Sequence, residues 1–279
     1  QRPLVVTVHD VAPALFPDAF PLRGRRFHER ALAAVAERAD LVVTVSHAAA
    51  EEIVAHSAVD AGRIRVVPHG VRPVAVDADA RRGVLARMGI GEDRPYVLWV
   101  GSLEPRKGVP TLLAAMSALR RRRPHPPFTD ALVVLAGYDG WLAADALTAE
   151  DRRGLEPVLR QLGRVSEQDL HALYAGAALF AFPSRHEGFG LPVLEAMSHG
   201  VPVVASDIPS LREVSGGAAR LVEPGDVGAW TDVLEELLGD GAERDRLAEA
   251  GRRRSAGMTV EDSMRRLHDV YLEALAGAR

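Results

Sequence analysis

Short runs of β-branched and aliphatic residues alternate with Ala-rich stretches near the start of the chain. Three apolar runs predict strands, at residues 4–8, 41–45 and 64–67. The stretches between them, residues 27–38 and 48–56, have the composition of helices. This order is a βαβαβ pattern, which is typical of an α/β domain with a parallel sheet.

A second series of apolar runs begins after a break at Pro68-His69-Gly70, and we place a linker near residues 71–77. Five runs predict strands, at residues 96–100, 131–136, 179–182, 201–205 and 220–222. They are continuously apolar, as expected of parallel strands buried on both faces. Apolar residues recur at helical spacing between them, at Leu112, Leu113, Met116 and Leu119 and again at Val193, Leu194 and Met197. The pattern predicts a doubly wound α/β domain.

Composition narrows the class of protein without identifying a partner. The chain has 279 residues, of which 47% are hydrophobic and 26% charged, as in an ordinary globular protein. A net charge of −4 gives no reason to expect a nucleic-acid partner. The lack of cysteine excludes disulfides and thiolate metal sites and fits a reducing interior, so we expect a cytoplasmic protein. No apolar run approaches the roughly 20 residues of a membrane span, which leaves peripheral attachment at the inner face of a membrane open.

The segment from Glu187 to Glu195 carries the most information about function. Gly188 and Gly190 permit close approach of the backbone to a ligand, and Pro192 suits the start of a helix. Such a helix start presents free N–H groups that bind phosphate. Glu187 falls just before this site and Glu195 in the first helical turn, so one carboxylate can meet a sugar and the other a ribose. The competing interpretation is a Gly-rich turn before an ordinary helix.

A second loop, residues 101–108, follows the first strand of the second series and leads into a helix. Arg106 offers a planar fork of donors and Lys107 a point charge, a combination that suits a departing diphosphate. The alternative is a solvated basic turn. The chain has neither a Walker A loop nor a Gly-x-Gly-x-x-Gly fingerprint, which disfavours a P-loop NTPase and an NAD enzyme.

His9 and Asp10 come at the carboxyl end of the first predicted strand. His9 could contact a sugar hydroxyl or stabilise charge in a transition state, with Asp10 orienting it or facing an acceptor. A satisfied strand-end histidine is the simpler interpretation. The histidines further along the chain show no ligand spacing with a carboxylate, so we expect no metal site and no metal cofactor.

Taken together, these segments resemble the retaining nucleotide-sugar glycosyltransferases of family four. The residues that carry the resemblance are 100–108, 183–197, 200–207 and 213–214, with 7–10 and 66–71 in the first part of the chain. Nearly the whole chain is covered.

The resemblance implies a role for each candidate residue. Glu187 would contact the transferred sugar, Glu195 would hold the ribose hydroxyls, and His9 falls where members place an active-site histidine. The base would meet the backbone near Arg164 and Val165. The residues that would hold the donor diphosphate are Ser102, Arg106, Lys107, Gly188, Phe189, Gly190 and Leu191. Because many members carry a phosphate-binding Arg in place of Ser102, that role would pass to Arg106 or Lys107.

The resemblance also implies the GT-B architecture, two Rossmann-like doubly wound domains, usually without a catalytic metal. Residues 1–76 would be the remainder of the N-terminal, acceptor-side domain, and residues 77–259 the nucleotide-sugar-binding domain. Residues 260–279 would form a helix that returns to the first domain. Family members carry further residues before the segment equivalent to Thr7, so we expect the N-terminal domain of this chain to be incomplete.

The leading hypothesis is a transferase that moves a hexose from a nucleoside diphosphate sugar, with retention, to a carbohydrate or lipid-linked acceptor. The Gly-Ser-Leu-Glu-Pro-Arg-Lys form is similar to mannosyltransferases of polysaccharide assembly, which makes GDP-mannose the first choice of donor. The alternative is a nucleotide-sugar-binding module, inactive alone because its N-terminal domain is incomplete. An epimerase on the same architecture is a third hypothesis.

Overall fold

The structure of the protein is a computed structural model that describes residues 2–91, 93–140 and 142–277. The outer limits of the predicted domains, at residues 1 and 279, lie outside these ranges. The strands are β1 (Val5–Thr7), β2 (Leu41–Thr44), β3 (Ile64–Val66), β4 (Tyr96–Val100), β5 (Leu132–Ala136), β6 (Leu159–Gly163), β7 (Leu179–Phe182), β8 (Val203–Ser206) and β9 (Arg220–Val222).

The helices connect these strands. They are α1 (Ala12–Leu15), α2 (Leu22–Arg38), α3 (His47–His56), α4 (Ala78–Arg87), α5 (Val109–Arg122), α6 (Ala143–Ala146), α7 (Ala149–Arg152), α8 (Glu167–Gly176), α9 (Leu191–Ser198), α10 (Pro209–Ser215), α11 (Val227–Gly239), α12 (Gly241–Ala256) and α13 (Val260–Gly277). Short 3-10 helices span Pro17–Ala19, Ala61–Arg63 and Pro105–Lys107.

The strands form two parallel sheets. One has three strands in the order β1-β2-β3, and the other has six in the order β6-β5-β4-β7-β8-β9. Parallel strands joined through helices confirm the predicted α/β class.

The order of the six-stranded sheet reverses between β4 and β7. From β4 the chain continues to β5 and β6 on one side, whereas β7, β8 and β9 lie on the other. In sheets of this kind a crevice opens beyond the carboxyl ends of the strands at such a switch point, and ligands bind there. The loops that follow β4 and β7 are the two loops that the sequence singled out.

Most predicted strands match the structure closely. The runs at residues 96–100, 179–182 and 220–222 have the observed bounds. The run at residues 201–205 instead begins as a strand at Val203, after Pro202, which has no N–H to donate to a ladder.

The sequence missed β6, Leu159–Gly163. This strand lies at the edge of its sheet and is only partly buried, with Arg160 and Gln161 interrupting its apolar pattern. An edge strand exposed to solvent lacks the continuous apolar run of a central strand, which is why the pattern did not reveal it.

The large core lies around the central strands of the six-stranded sheet. Val97, Leu98 and Trp99 are fully buried. The apolar residues that recur at helical spacing within residues 112–119 and 193–197 are fully buried as well. A smaller core lies against the three-stranded sheet. There α13 packs Val270 and Ala274 against β2. The division into domains at residues 76 and 77 remains a prediction.

Candidate active site

The loops after β4 and β7 lie in contact at the switch point. We call residues 101–108 the Lys107 loop and residues 183–190 the Glu187 loop. The backbone N–H of Arg185 donates to the carbonyl of Arg106 at 2.8 Å. Gly108 has φ +67°, and a Cβ added to it would lie 2.0 Å from the carbonyl oxygen of Pro183. Only glycine therefore allows the two loops to approach this closely.

A buried ion pair joins the two loops. The Nζ of Lys107 lies 2.7 Å from Oε1 and 2.9 Å from Oε2 of Glu187, and each side chain is only 10% exposed. The Nη1 of Arg106 adds a weaker contact at 3.8 Å to the same carboxylate. The residue expected at the diphosphate and the residue expected at the sugar thus neutralise one another in this structure.

Glu104 organises the rest of the Lys107 loop, and sequence reasoning missed it. Its Oε2 accepts from Arg106 Nε at 3.0 Å, and its Oε1 accepts from the Ser102 hydroxyl at 2.6 Å. Arg106 also donates from Nη1 to the carbonyl of His186 at 3.1 Å. The signal was present in the motif, because a carboxylate two residues before two cations is placed to pair with one of them.

The Glu187 loop ends at the start of α9. Gly190 has φ +102°, Leu191 is the first helical residue, and no side chain of the described residues caps this helix. The Gly-rich loop therefore leads into an uncapped helix N-terminus, as the sequence predicted. The placement of Glu195 in the first turn was wrong, because the helix begins at Leu191 rather than Pro192 and Glu195 falls in the second turn.

Glu195 takes part in a cluster that the sequence did not reveal. The Tyr174 hydroxyl of α8 donates to Glu195 Oε2 at 2.9 Å, and the Tyr174 ring stacks on His199 with centroids 5.6 Å apart. His199 Nε2 in turn lies 2.9 Å from Nδ1 of His171. Burial raises the pKa of Glu195, and burial together with His171 lowers the pKa of His199 to about 4.

His9 reaches the Glu187 loop through its backbone. A Cβ added to Gly188 would lie 2.4 Å from the His9 carbonyl oxygen. The exposed His9 ring stacks on His69 at 5.7 Å, and His69 meets the edge of Phe189 at 5.3 Å. Burial, and then His9, lower the pKa of His69.

Asp10 is engaged locally rather than with His9. Its Oδ1 accepts from the N–H of Ala12 at 2.9 Å, at the start of α1.

Arg164 and Val165 follow the carboxyl end of β6, and Ser166 then caps α8. They are thus joined through α8 to Tyr174, the hydrogen-bond partner of Glu195. The two predicted base-contacting residues therefore lie just before the helix whose Tyr174 bonds to the predicted ribose contact, Glu195 of α9.

Metal-binding groups and membrane-spanning helices are both absent from the part of the chain that the structure describes. Within residues 2–91, 93–140 and 142–277, no three His, Asp or Glu side chains are grouped so as to hold a metal ion. Among the helices in those same ranges, none combines the length and the apolar character needed to cross a membrane.

Comparison with known proteins identifies relatives for both parts of the chain. Residues 85–254 match the family model described as glycosyl transferases group 1, and residues 1–75 match the model of glycosyltransferase family 4. The O-antigen chain mannosyltransferase B of Escherichia coli is 36% identical over 249 residues, which cover 85% of this chain and 61% of that protein. The chain therefore spans about three fifths of the length of this relative.

Solved structures share the fold. A sucrose-phosphate synthase from Thermosynechococcus elongatus superposes with a TM-score of 0.78 at 27% identity, over 98% of this chain and 68% of that one. Anabaena HepE, solved in complex with UDP and glucose, superposes with a TM-score of 0.79 at 22% identity, over 96% of this chain and 71% of that one. These neighbours confirm the predicted GT-B fold, and with the family match over residues 85–254 the conclusion is that this chain belongs to the glycosyl transferases group 1.

Proposed function

We propose that the chain binds a nucleoside diphosphate sugar at the switch point and transfers its hexose, with retention, to a carbohydrate or lipid-linked acceptor. The observation that carries this proposal is the Lys107–Glu187 pair, with distances of 2.7 and 2.9 Å, buried between the ends of β4 and β7. A cation that neutralises a diphosphate and a carboxylate that accepts from sugar hydroxyls are both needed for such a donor. Here they lie side by side.

The groups around the pair supply the remaining contacts with the donor. The N–H groups at residues 188–191 lie before and within the first turn of α9 and would meet the diphosphate, whose charge the helix dipole favours. Ser102 and Arg106, held by Glu104, would border the same anion. Glu195 would accept from the ribose hydroxyls, and the backbone at Arg164 and Val165 would meet the base.

Donor binding would separate Lys107 from Glu187, because each of the two side chains would contact a different part of the donor. Lys107 would turn from Glu187 to the diphosphate, and the carboxylate would then accept from a hydroxyl of the sugar. During transfer the bond between the sugar C1 and the diphosphate oxygen breaks, and its electron pair stays on that oxygen. The acceptor hydroxyl oxygen bonds to C1, and its proton passes to the departing diphosphate. Lys107 and the α9 amides stabilise the growing negative charge on the leaving oxygen.

His9 would face the sugar from the other side of the crevice. Its backbone already meets Gly188, and its ring is exposed beside His69. An imidazole there can donate to a sugar hydroxyl or stabilise positive charge at C1 from a short distance.

Mannose is the hexose that we propose first. The support is the likeness to an O-antigen mannosyltransferase at 36% identity, together with the Gly-Ser-Leu-Glu-Pro-Arg-Lys sequence of the Lys107 loop. GDP-mannose would then be the donor.

The test combines calorimetry with a transfer assay. UDP, GDP and their sugars are titrated into the chain, and transfer is followed with a carbohydrate acceptor and with a lipid-linked one. We expect Glu187→Gln to lower the rate of transfer about 100-fold, a loss typical of removing one interaction that stabilises the transition state. The exposed Glu156→Gln is the matched control and should leave transfer unchanged. Unimpaired transfer by Glu187→Gln would contradict the assigned role.

The second candidate is a nucleotide-sugar-binding module. It is favoured by the 61% coverage of the mannosyltransferase relative, because an acceptor site on the remaining part of such a protein would be needed for turnover. Binding of a nucleoside diphosphate sugar without transfer to any acceptor would support the module. Isomerisation of the bound sugar without an acceptor would instead support an epimerase.

A further inference from the structure

Helix α3 contacts the Glu187 loop on both sides of Glu187. The Ser46 hydroxyl, at the start of α3, donates to the carbonyl of Gly188 at 2.6 Å. Nε2 of His186 lies 2.9 Å from Oε2 of Glu52, within α3. Because a carboxylate only accepts, the imidazole donates this hydrogen bond from Nε2. The residues before and after Glu187 are thus both tied to one helix of the three-stranded sheet.

The Ser46 hydroxyl has a fixed orientation. Ser46 is fully buried and caps α3, because its Oγ accepts from the N–H of Ala49 at 2.9 Å. Its single proton goes to Gly188, so the hydroxyl uses donor and acceptor capacity at once. A buried hydroxyl held in this way resists rotation and transmits the position of α3 to the loop.

A third contact fixes α3 relative to the six-stranded sheet. The two carboxylate oxygens of Glu213, in α10, accept from the N–H groups of His47 at 3.0 Å and Ala48 at 3.1 Å. A carboxylate at a helix N-terminus is favourable for both hydrogen bonding and the helix dipole. The first turn of α3 therefore cannot shift without breaking several bonds to the opposite sheet's loops and helices.

The attraction between Lys107 and Glu187 makes such anchors necessary. When Lys107 turns to a diphosphate, an unanchored Glu187 loop would follow the cation, since the two charges are 2.7 Å apart. Ties at His186 and Gly188 hold the backbone on either side of Glu187 while the cation moves. The carboxylate then stays where a sugar hydroxyl can reach it.

We propose that Ser46 and Glu52 are positioning residues, which hold Glu187 in place through the flanking residues Gly188 and His186. The inference rests on the proposed function for the identity of the ligand, a donor sugar, but not for the anchoring itself. Two measurements distinguish the anchoring from the identity of the ligand. Tryptic cleavage after the exposed Arg185 reports opening of the loop without any substrate, and steady-state transfer reports the chemistry.

Ser46→Ala and Glu52→Ala are compared with two control variants in the same helix or at its end. Ser57→Ala removes a hydroxyl whose partners, the carbonyl of Ile53 and the N–H of Val59, lie outside the Glu187 loop, and Glu51→Gln changes an exposed neighbour of Glu52. We expect each anchor variant to raise the cleavage rate at Arg185 about fivefold, the effect of one buried hydrogen bond on local opening. The controls should cleave like the wild type.

In the transfer assay we expect kcat to fall at least about tenfold for both anchor variants, because a small misplacement of a substrate-contacting group is costly. The dissociation constant for GDP or UDP should rise less than kcat falls, since Gly188 is the proposed diphosphate contact that Ser46 anchors, whereas the Lys107 loop keeps its own bonds. Ser46→Thr keeps the hydroxyl and should restore both readouts, whereas Ser46→Val, which has the shape of threonine without the hydroxyl, should behave like Ser46→Ala.

Cleavage at Arg185 that is unchanged in both anchor variants would overturn the inference. An equal rise in the Ser57→Ala control, or a parallel loss of nucleotide binding and kcat, would overturn it as well. If the wild type transfers no sugar while the anchor variants still open the loop, the proposed function fails and the anchoring stands.

Discussion

Removing the cation of the buried pair should destabilise the fold through the carboxylate that it leaves behind. In Lys107→Met the side chain keeps its length and apolar stem, but Glu187 loses hydrogen bonds of 2.7 and 2.9 Å at a site only 10% exposed. Breaking a buried ion pair from one side costs about 3 to 5 kcal/mol. Arg106 remains 3.8 Å from the carboxylate and compensates in part, so we expect a loss of about 3 kcal/mol.

The double variant Lys107→Met/Glu187→Gln isolates the interaction. Replacing both charges by neutral groups of similar volume is often nearly neutral for stability, so the double variant should lose much less than the sum of the single variants. We expect a coupling free energy of about 2 kcal/mol. The matched control is the exposed pair Arg253–Glu249, at 3.0 Å, where Arg253→Met should cost under about 1 kcal/mol.

Urea unfolding followed by tryptophan fluorescence measures these free energies. Trp99 and Trp230 are fully buried, so their emission reports exposure of the large core. If the Lys107 and Glu187 variants are additive within about 0.5 kcal/mol, the two side chains do not form the pair described above.

Three further outcomes follow from the site and its surroundings. Gly188→Ala would place a Cβ 2.4 Å from a backbone carbonyl oxygen and should lower the free energy of unfolding by about 2 kcal/mol in urea titrations, whereas Gly277→Ala, with open space around it, should not. Tyr174→Phe removes the hydrogen bond to Glu195 and should weaken GDP or UDP binding about fivefold by calorimetry, with no such loss for 2′-deoxy analogues; equal losses would contradict the link to the ribose. The pKa of His199 falls from 6.5 to about 4 on folding, so the unfolded chain binds its proton first as the pH drops, and stability that is complete above pH 6.5 is lost toward pH 4. His199→Gln should flatten the unfolding free energy across that window, and parallel curves for variant and wild type would refute this assignment.

Much of the fold could be predicted from local patterns in the amino-acid sequence. The central strands could be predicted because burial on both faces demands a continuous apolar run, as at residues 96–100 and 179–182. The loops that follow them were recognisable from Gly188, Gly190 and Lys107, whose backbone freedom and charge are local properties. The strand β6 could not be predicted in this way, because it is partly exposed and its apolar run is interrupted.

The arrangement around the carboxylates could not be predicted in the same way. Glu104 was overlooked although it holds both Ser102 and Arg106. Glu195 was expected in the first helical turn and lies in the second, because a helix that begins at Leu191 and one that begins at Pro192 have nearly the same sequence signal. No local pattern indicated Tyr174 as its partner.

The amino-acid pattern alone identifies an α/β protein, the positions of its buried strands, and the two loops that carry glycines, carboxylates and cations. The contact of Lys107 with Glu187, 80 residues away, and that of Ser46 with Gly188, 142 residues away, could be seen only in the folded chain. Hydrophobic periodicity records whether a segment is buried, but not which segment lies beside it. The strand order places β4 against β7, and the packing of the two sheets brings α3 of the three-stranded sheet onto the Glu187 loop after β7.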